Sequence, residues 1–383
     1  MDSRYIDTQA GLEQLAADLE GSAVLAVDTE FLREKTYYPK LCLIQLNNEE
    51  IQAIVDPLAV RSLEPLASIM ANPSCVKIFH SGSQDIDILY HELGVMPTPL
   101  FDTQMAAALM GFPLQVGYGP LVQALCDVRL AKADSYTDWS RRPLTTNQLK
   151  YALDDVVYLP KMYRHMERTL AKQGRGSWLD ADFARLADPA KYDNDPMDMW
   201  RKVKRVASLS HGQMAVAQEL AAWREREAME RNIPRKWVIP DEALVEIARK
   251  SPKSIDRLME VRGLNTKLTT KTARQVLEAV KKGRERDPKD YPSLPKRPSG
   301  TPEIDGAVDL LASVVEVRSK ENGVAVPVLA SRDDLARLVH GHKEECEVLQ
   351  GWRYEMVGRE LEAIMEGRLA VYVERGRLCV APR

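Results

Sequence analysis

Residues 24–31 read VLAVDTEF, an apolar run that ends abruptly in Asp-Thr-Glu. A short apolar run of this kind argues for a buried strand, and on a strand side chains two apart share a face. Asp28 and Glu30 therefore project the same way from the end of an element otherwise built for a core. Like charges so placed repel, and burial adds to the cost. A fold that accepts this strand must seat it in a sheet and give the two carboxylates a counter-charge.

The neighbouring segments supply such a sheet. SAVLAVDTEF, LCLIQL, IQAIVDPL and CVKIFHS are short, apolar and rich in β-branched residues. KLCLIQLNNEEIQAIVD reads as a hairpin turning at Asn47–Glu50. SLEPLASIMAN, SQDIDILYHELG and DTQMAAALMG read as helices, so a mixed sheet covered by helices is expected. From about residue 205 the pattern is helical alone. It runs through SHGQMAVAQELAAWREREAMERN, then PDEALVEIARK with Asp241 as the expected N-cap, then a helix around TKLTTKTARQVLEAVKKGRER. DPKDYPSLPKRPSGTPE carries five prolines and a glycine, a linker signal. A last helical segment, about 303–370, leads into LAVYVERGRLCVAPR, expected to form a hairpin around Gly376.

Charge is distributed unevenly. Residues 201–290 hold 22 Lys+Arg against 13 Asp+Glu, a net of +9, whereas the whole chain is −3 and the remainder therefore −12. A basic middle region suits an anionic partner, although surface bases also simply solubilise a helical bundle. The five cysteines are scattered without a C-x-x-C pair, which argues against a zinc ribbon or a disulfide framework and fits a reducing, cytoplasmic setting. The amino terminus lacks the pattern of a signal peptide, and no run of about 18 apolar residues is available to span a membrane.

Further acidic positions belong with Asp28 and Glu30. Asp85 follows VKIFHSGSQ at the expected loop-to-helix boundary beyond a strand. In TTNQLKYALDDVVYLP, Thr145 and Gln148 have capping-box spacing, so a helix starts at Thr145. Tyr151 and Asp155 then share a face, and Asp154, three from Tyr151, lies near it too. Four carboxylates brought together need cations. Mg²⁺ takes hard oxygen ligands and keeps waters for substrate phosphates, and two such ions form the clamp used for in-line phosphoryl displacement.

In this order and on these elements, VDTEF (27–31), HSGSQDIDIL (80–89), FDTQMAA (101–107) and DWSRRPLTTNQLKYALDDVVYL (138–159) resemble the DEDD superfamily of 3′–5′ exonucleases, and most closely its ribonuclease D family. The resemblance spans most of residues 20–160. It implies Asp28, Glu30, Asp85 and Asp155 as catalytic metal ligands for two divalent cations, Mg²⁺ or Mn²⁺, with Tyr151 positioning the attacking water. Family spacing selects Asp155 over Asp154. Lys150 stands where the other branch of the superfamily has a histidine, which indicates the tyrosine branch. ELAAWREREAMERNIPRKWVIPDEALVEIARKSP with LMEVRG is similar to the helicase-and-RNase-D C-terminal (HRDC) module, and residues 303–383 occupy the place of a second one.

The implied fold is an α+β (α/β), ribonuclease H-like exonuclease domain with a mixed central sheet, followed by two small all-α HRDC-like domains. Its expected divisions are 1–205 for the exonuclease, 206–290 for the first HRDC domain, 291–302 for a linker and 303–383 for the second. The implied activity is 3′–5′ exoribonuclease trimming of tRNA precursors and other structured RNAs at a single-stranded 3′ end, releasing nucleoside 5′-monophosphates, by a cytoplasmic monomer without membrane association. A 3′–5′ DNA exonuclease uses the same carboxylates, and a non-catalytic RNA-binding protein would have lost one of them.

Candidate RNA contacts are Phe31 and Leu32, which can stack against a terminal base. Arg141 and Arg142, ahead of the catalytic helix, suit either substrate or nearby acids. Lys236, Arg249, Lys250 and Lys253 on the HRDC-like segment can face phosphates. Asp102 is expected to cap the following helix and His80 to be a satisfied polar group. Tyr37 and Tyr38 find no place in this reading.

Overall fold

The computed structural model describes residues 2–131, 137–264, 268–294 and 301–383. Its centre is a six-stranded sheet of β1 (Asp2–Ile6), β2 (Val24–Leu32), β3 (Lys40–Asn47), β4 (Ile51–Val55), β5 (Val76–Phe79) and β6 (Leu100–Asp102), in the order β1-β4-β3-β2-β5-β6. β3 runs antiparallel to both β2 and β4, whereas β1–β4, β2–β5 and β5–β6 pair in parallel. The sheet is mixed, as expected. The β3–β4 hairpin turns where NNEE falls, with Asn48 N–H donating to Ile51 O at 3.2 Å. Edge strands β1 and β6 escape the sequence reading because DSRYI and LFD are too short to show a period.

The central strand is apolar on both faces because helices cover both. Leu25 and Val27 pack with Leu12, Leu15 and Leu19 of the helix Gln9–Leu19. Val24 and Ala26 face the other way, into a core shared with Met162, Met166 and Leu170 of the helix Leu159–Lys172. Asp28 and Glu30 continue this second row where the strand leaves the core. SLEPLASIMAN yields less helix than expected, a 3₁₀ turn and then only Ala67–Met70.

Residues 211–285 form a separate helical unit around Leu220, Trp223, Leu244, Ile247 and Val276 among others, a core that also takes in Trp200 from the segment before it. Its helix Asp241–Lys250 begins one residue earlier than expected: Pro240 is the N-cap, and the Asp241 carboxylate accepts from Lys204 N at 3.0 Å and Arg224 Nη1 at 2.8 Å instead. In the linker, residues 295–300 lie outside the described residues; Pro288–Asp290 is a 3₁₀ turn, and Pro302 already opens the helix Pro302–Asn322.

The C-terminal helices return to the exonuclease sheet. Val308, Leu311, Val314 and Val315 share one buried cluster with Val24, Ala26 and Ile78. The Trp178 and Trp352 rings stack at 4.5 Å with an interplanar angle of 3°, and Trp352 Nε1 donates to Trp178 O at 2.9 Å. Arg175 ties Leu109 O (2.9 Å) to Asn322 O (2.6 Å) across the same boundary. β7 (Leu369–Glu374) and β8 (Arg377–Pro382) form the expected hairpin around Gly376.

Candidate active site

Asp28 and Glu30 emerge on one face of β2, and the helix Thr146–Val157 lies across that face. That helix starts where the sequence requires: Thr145 accepts from Gln148 N, and the Gln148 side chain accepts from Thr145 N, completing the capping box. It delivers Asp155 to the strand end, so that oxygens of Asp28, Glu30 and Asp155 all lie within 4.8 Å of one another. Asp154, one residue away, is bound by Lys150 Nζ at 2.5 Å and faces solvent as an ordinary i,i+4 pair. The Tyr151 hydroxyl bonds to the Asp155 carboxylate, and its ring stacks on Trp139 at 5.8 Å.

Asp85 belongs to the first turn of the helix Ser83–Leu93, beyond the end of β5. Its Oδ1 accepts from Thr29 Oγ1 at 2.5 Å. Thr29 lies between the two acids on the opposite face of β2, so one tripeptide supplies two carboxylates and the tether of a third. The loop before Asp85 is held in turn by Asp102, whose carboxylate accepts from Ser81 N (3.2 Å) and Gly82 N (2.9 Å) while capping its own helix through Gln104 N and Met105 N. A Cβ at Gly82 would come within 2.4 Å of Phe79 Cβ, so this tight turn has room only for glycine. His80 is satisfied at both nitrogens, by Thr103 Oγ1 (2.9 Å) and Val116 O (3.1 Å). A β-bulge at Glu30/Phe31 shifts the register with β3 and re-aims the strand just as it leaves the acids.

The electrostatics are those of a site short of positive charge. Burial, then the charges of Asp85, Asp155 and Glu30, lift the Asp28 carboxyl well above the ordinary range. Burial and the same neighbours push Glu30 up to about 8. Burial also raises Asp155 to about 7, despite the hydrogen bond from Tyr151, and Asp85 to about 6, despite that from Thr29. Among the described residues no Lys or Arg forms a salt bridge with any of the four. Gln45, the cross-strand partner of Asp28 on β3, is fully buried, and neither atom of its amide has a hydrogen-bond partner among the described residues. Clustered carboxylate oxygens without a protein cation, beside an uncommitted amide, fit hard divalent cations and fit neither a soft metal nor an organic anion.

The other candidate residues are dispersed. Phe31 and Leu32 are half-buried beyond the bulge, Phe31 against the β2 core and Leu32 beside Tyr151 and Trp139. Arg142 is fully engaged: its guanidinium forms a two-pronged pair with Asp56 and donates to Trp139 O (2.8 Å) and Cys42 O (2.9 Å). Arg141 is largely exposed, with Asp138 at 3.2 Å. On the helical unit, Lys250 and Lys253 are exposed, and Arg249 pairs with Glu246 and Ser208. Lys236 lines a cleft between this unit and the loop after β2, together with Arg33, Lys202 and Lys204. Thr29, Gln45 and the Trp139 stack were missed in the sequence. Thr29 alone had a local signal, its place on the reverse face between the two acids.

A mixed sheet with acids converging from the end of its central strand and from a crossing helix that brings a tyrosine defines the 3′–5′ exonuclease class. The family model for 3′–5′ exonucleases matches residues 3–171, and that of the HRDC domain matches residues 213–280. The chain belongs to the ribonuclease D family of exoribonucleases. It is 41% identical to ribonuclease D of Sphingobium indicum over 96% of this chain and 95% of that protein, and 38% identical to that of Bartonella henselae, over 98% and 93%. The crystal structure of Escherichia coli RNase D, described as an exoribonuclease involved in structured RNA processing, superposes with a TM-score of 0.80 at 31% identity, covering 96% of this chain and 99% of the other. Divalent metal ions are the cofactors of this class, and no helix among the described residues is long and apolar enough to cross a membrane.

Proposed function

We propose that the chain removes nucleotides one at a time from a single-stranded 3′ end of RNA, tRNA precursors among its substrates, and releases nucleoside 5′-monophosphates. The observation that carries this reading is the convergence of Asp28, Glu30 and Asp155 without a protein counter-charge, with Asp85 tethered beside them. These four would hold two Mg²⁺ or Mn²⁺ ions, which when bound supply an activated water and charge neutralisation for the leaving oxygen. Tyr151, kept neutral by burial and by Asp155, would turn its hydroxyl proton from Asp155 to that water once Asp155 engages a metal, and so hold the water in line. The water oxygen bonds to phosphorus as the P–O3′ bond breaks. The water loses a proton to solvent, and the departing 3′-oxygen takes one up.

Phe31 and Leu32, aimed by the bulge, supply an apolar wedge for the terminal base. Arg141, exposed and paired among the described residues only with the exposed Asp138, is the arginine available to a phosphate, because Arg142 is spent on Asp56 and backbone carbonyls. Lys236, Lys250 and Lys253, with Arg249 beside them, give the HRDC unit a basic face for phosphates of the RNA body, an affinity that falls steeply with salt.

The test is a 5′-labelled RNA with an extended 3′ tail, and the matching DNA, incubated with Mg²⁺ or with EDTA. Stepwise shortening of RNA alone, abolished by EDTA and by Asp155→Ala, is the expected result. Equal shortening of DNA would move the assignment to a DNA exonuclease, and no shortening of either would leave a binding protein.

A further inference from the structure

The loop that leaves the catalytic strand, residues 33–39, does not end in the exonuclease domain. Tyr37 N and Tyr38 N both donate to one acceptor on the helical unit, Asn232 Oδ1, at 3.1 and 3.0 Å. The Tyr37 hydroxyl donates to Glu225, which is wholly buried in the longest helix of the HRDC unit. Arg235 completes the knot: it pairs with both Glu225 oxygens, Nη2 to Oε1 at 2.6 Å, and its guanidinium lies 5.1 Å from the centre of the Tyr37 ring. The other side of the same loop touches the helix that carries Asp85. Tyr38 meets the His91 ring edge-on at 5.7 Å, and Arg33 approaches Asp87 at 3.9 Å.

This short connection therefore links three bodies: the strand bearing Asp28 and Glu30, the helix bearing Asp85, and the HRDC unit. Between Glu30 and the loop lies only the bulge with Phe31 and Leu32, so displacement of the loop is passed directly to the wedge and to the Glu30 carboxylate. A misplacement on the scale of an ångström at a reacting group costs about a hundredfold in rate. The tether is also conformationally specific. Asn232 sits at φ 46°, in the left-handed region that asparagine and glycine accept, which turns its amide oxygen back onto the two tyrosine amides.

We infer that the first HRDC domain is a structural wall of the catalytic cleft: Asn232 and Tyr37 are positioning residues that set the 33–39 loop, and hence Phe31, Leu32 and Glu30, independently of any grip on RNA. The inference rests on the exoribonuclease reading above for its kinetic consequence, and on the loop geometry alone for its physical one. A domain that serves only as a grip acts through affinity for RNA long enough to reach it. A domain that shapes the cleft acts on turnover of every substrate, including one too short to reach its basic face.

The experiment uses the full chain. Asn232→Gly keeps the left-handed backbone and deletes the acceptor, and Asn232→Asp keeps both. Hydrogen exchange of the Tyr37 and Tyr38 amides is measured without substrate, and kcat and KM on an RNA trinucleotide and on a long tailed RNA with Mg²⁺. Asn232→Gly is expected to speed exchange at the two amides about tenfold and to lower kcat about fivefold on both RNAs with KM nearly unchanged; Asn232→Asp restores both. Unaltered exchange in Asn232→Gly would overturn the tether whatever the activity. Faster exchange with unchanged kcat on the trinucleotide, or a rise in KM confined to the long RNA, would overturn the cleft-wall role in favour of a grip. An inactive wild-type protein would sink the exoribonuclease reading instead, leaving the exchange measurement to decide the tether.

Discussion

Neutralising one of the clustered carboxylates should stabilise the metal-free protein while damaging its chemistry. Glu30 is the clearest case, because no hydrogen bond offsets its burial and its neighbours. A carboxyl that ordinarily titrates near 4.5 and is pushed to about 8 binds its proton more tightly folded than unfolded. Its stabilising contribution is complete below the ordinary carboxylate pKa and is lost as pH rises through about 8. Each pH unit of that interval is worth about 1.4 kcal/mol. Water at the partly open mouth and sharing of the penalty among four carboxyls reduce the sum, leaving about 2 kcal/mol for Glu30 at pH 8. Metal-free Glu30→Gln should then melt about 3 °C above the wild type at pH 8 and show no advantage at pH 4. Saturating Mg²⁺ should reverse the order, because ligand binding stabilises the form that binds it better. Thermal unfolding with EDTA and with Mg²⁺, at several pH values, makes the comparison. A Glu30→Gln protein with the wild-type melting point and pH slope in EDTA would refute the idea that these acids stand uncompensated.

Other outcomes follow from the same geometry. Tyr151→Phe keeps the stack on Trp139 but deletes the hydroxyl on Asp155, so kcat should fall about a hundredfold with little change in KM, as single-turnover assays would reveal. Gln45→Leu removes two buried amide atoms that lack partners among the described residues, and chemical denaturation of the metal-free protein should show a gain of about 1 kcal/mol, with weaker Mg²⁺ binding by calorimetry. Trp352→Ala breaks the stack and hydrogen bond that hold the C-terminal helices against the exonuclease domain. It should cost about 3 kcal/mol and expose the 301–383 segment to limited proteolysis.

The helix carrying Tyr151 and Asp155 shows what local sequence can do. Capping-box spacing located its start, helical periodicity placed tyrosine and acid on one face, and both survive unchanged in the fold. The one-residue ambiguity between Asp154 and Asp155 did not yield to periodicity. In the fold Lys150 pairs with Asp154, while Asp155 comes together with Asp28 and Glu30. Arg142 shows the opposite limit: its sequence neighbours left it open between substrate and a nearby acid, and its partners, Asp56 and Cys42 O, are some eighty and a hundred residues away.

By itself, the sequence determined the elements and the chemistry they carry: a buried strand ending in paired acids, a capped helix with a tyrosine and an acid in register, and a basic helical region behind them. These are properties of period and spacing over a few residues, where the chain's own geometry leaves little choice. Only the tertiary structure decided which groups meet. It set Thr29 on Asp85, left the Gln45 amide beside Asp28 without a hydrogen-bond partner among the described residues, turned Arg142 inward, and fastened Tyr37 to Glu225 and Asn232 nearly two hundred residues on. Such contacts depend on sheet order and on domain docking. Those arise from burial summed over the whole chain, so no short window of residues contains them.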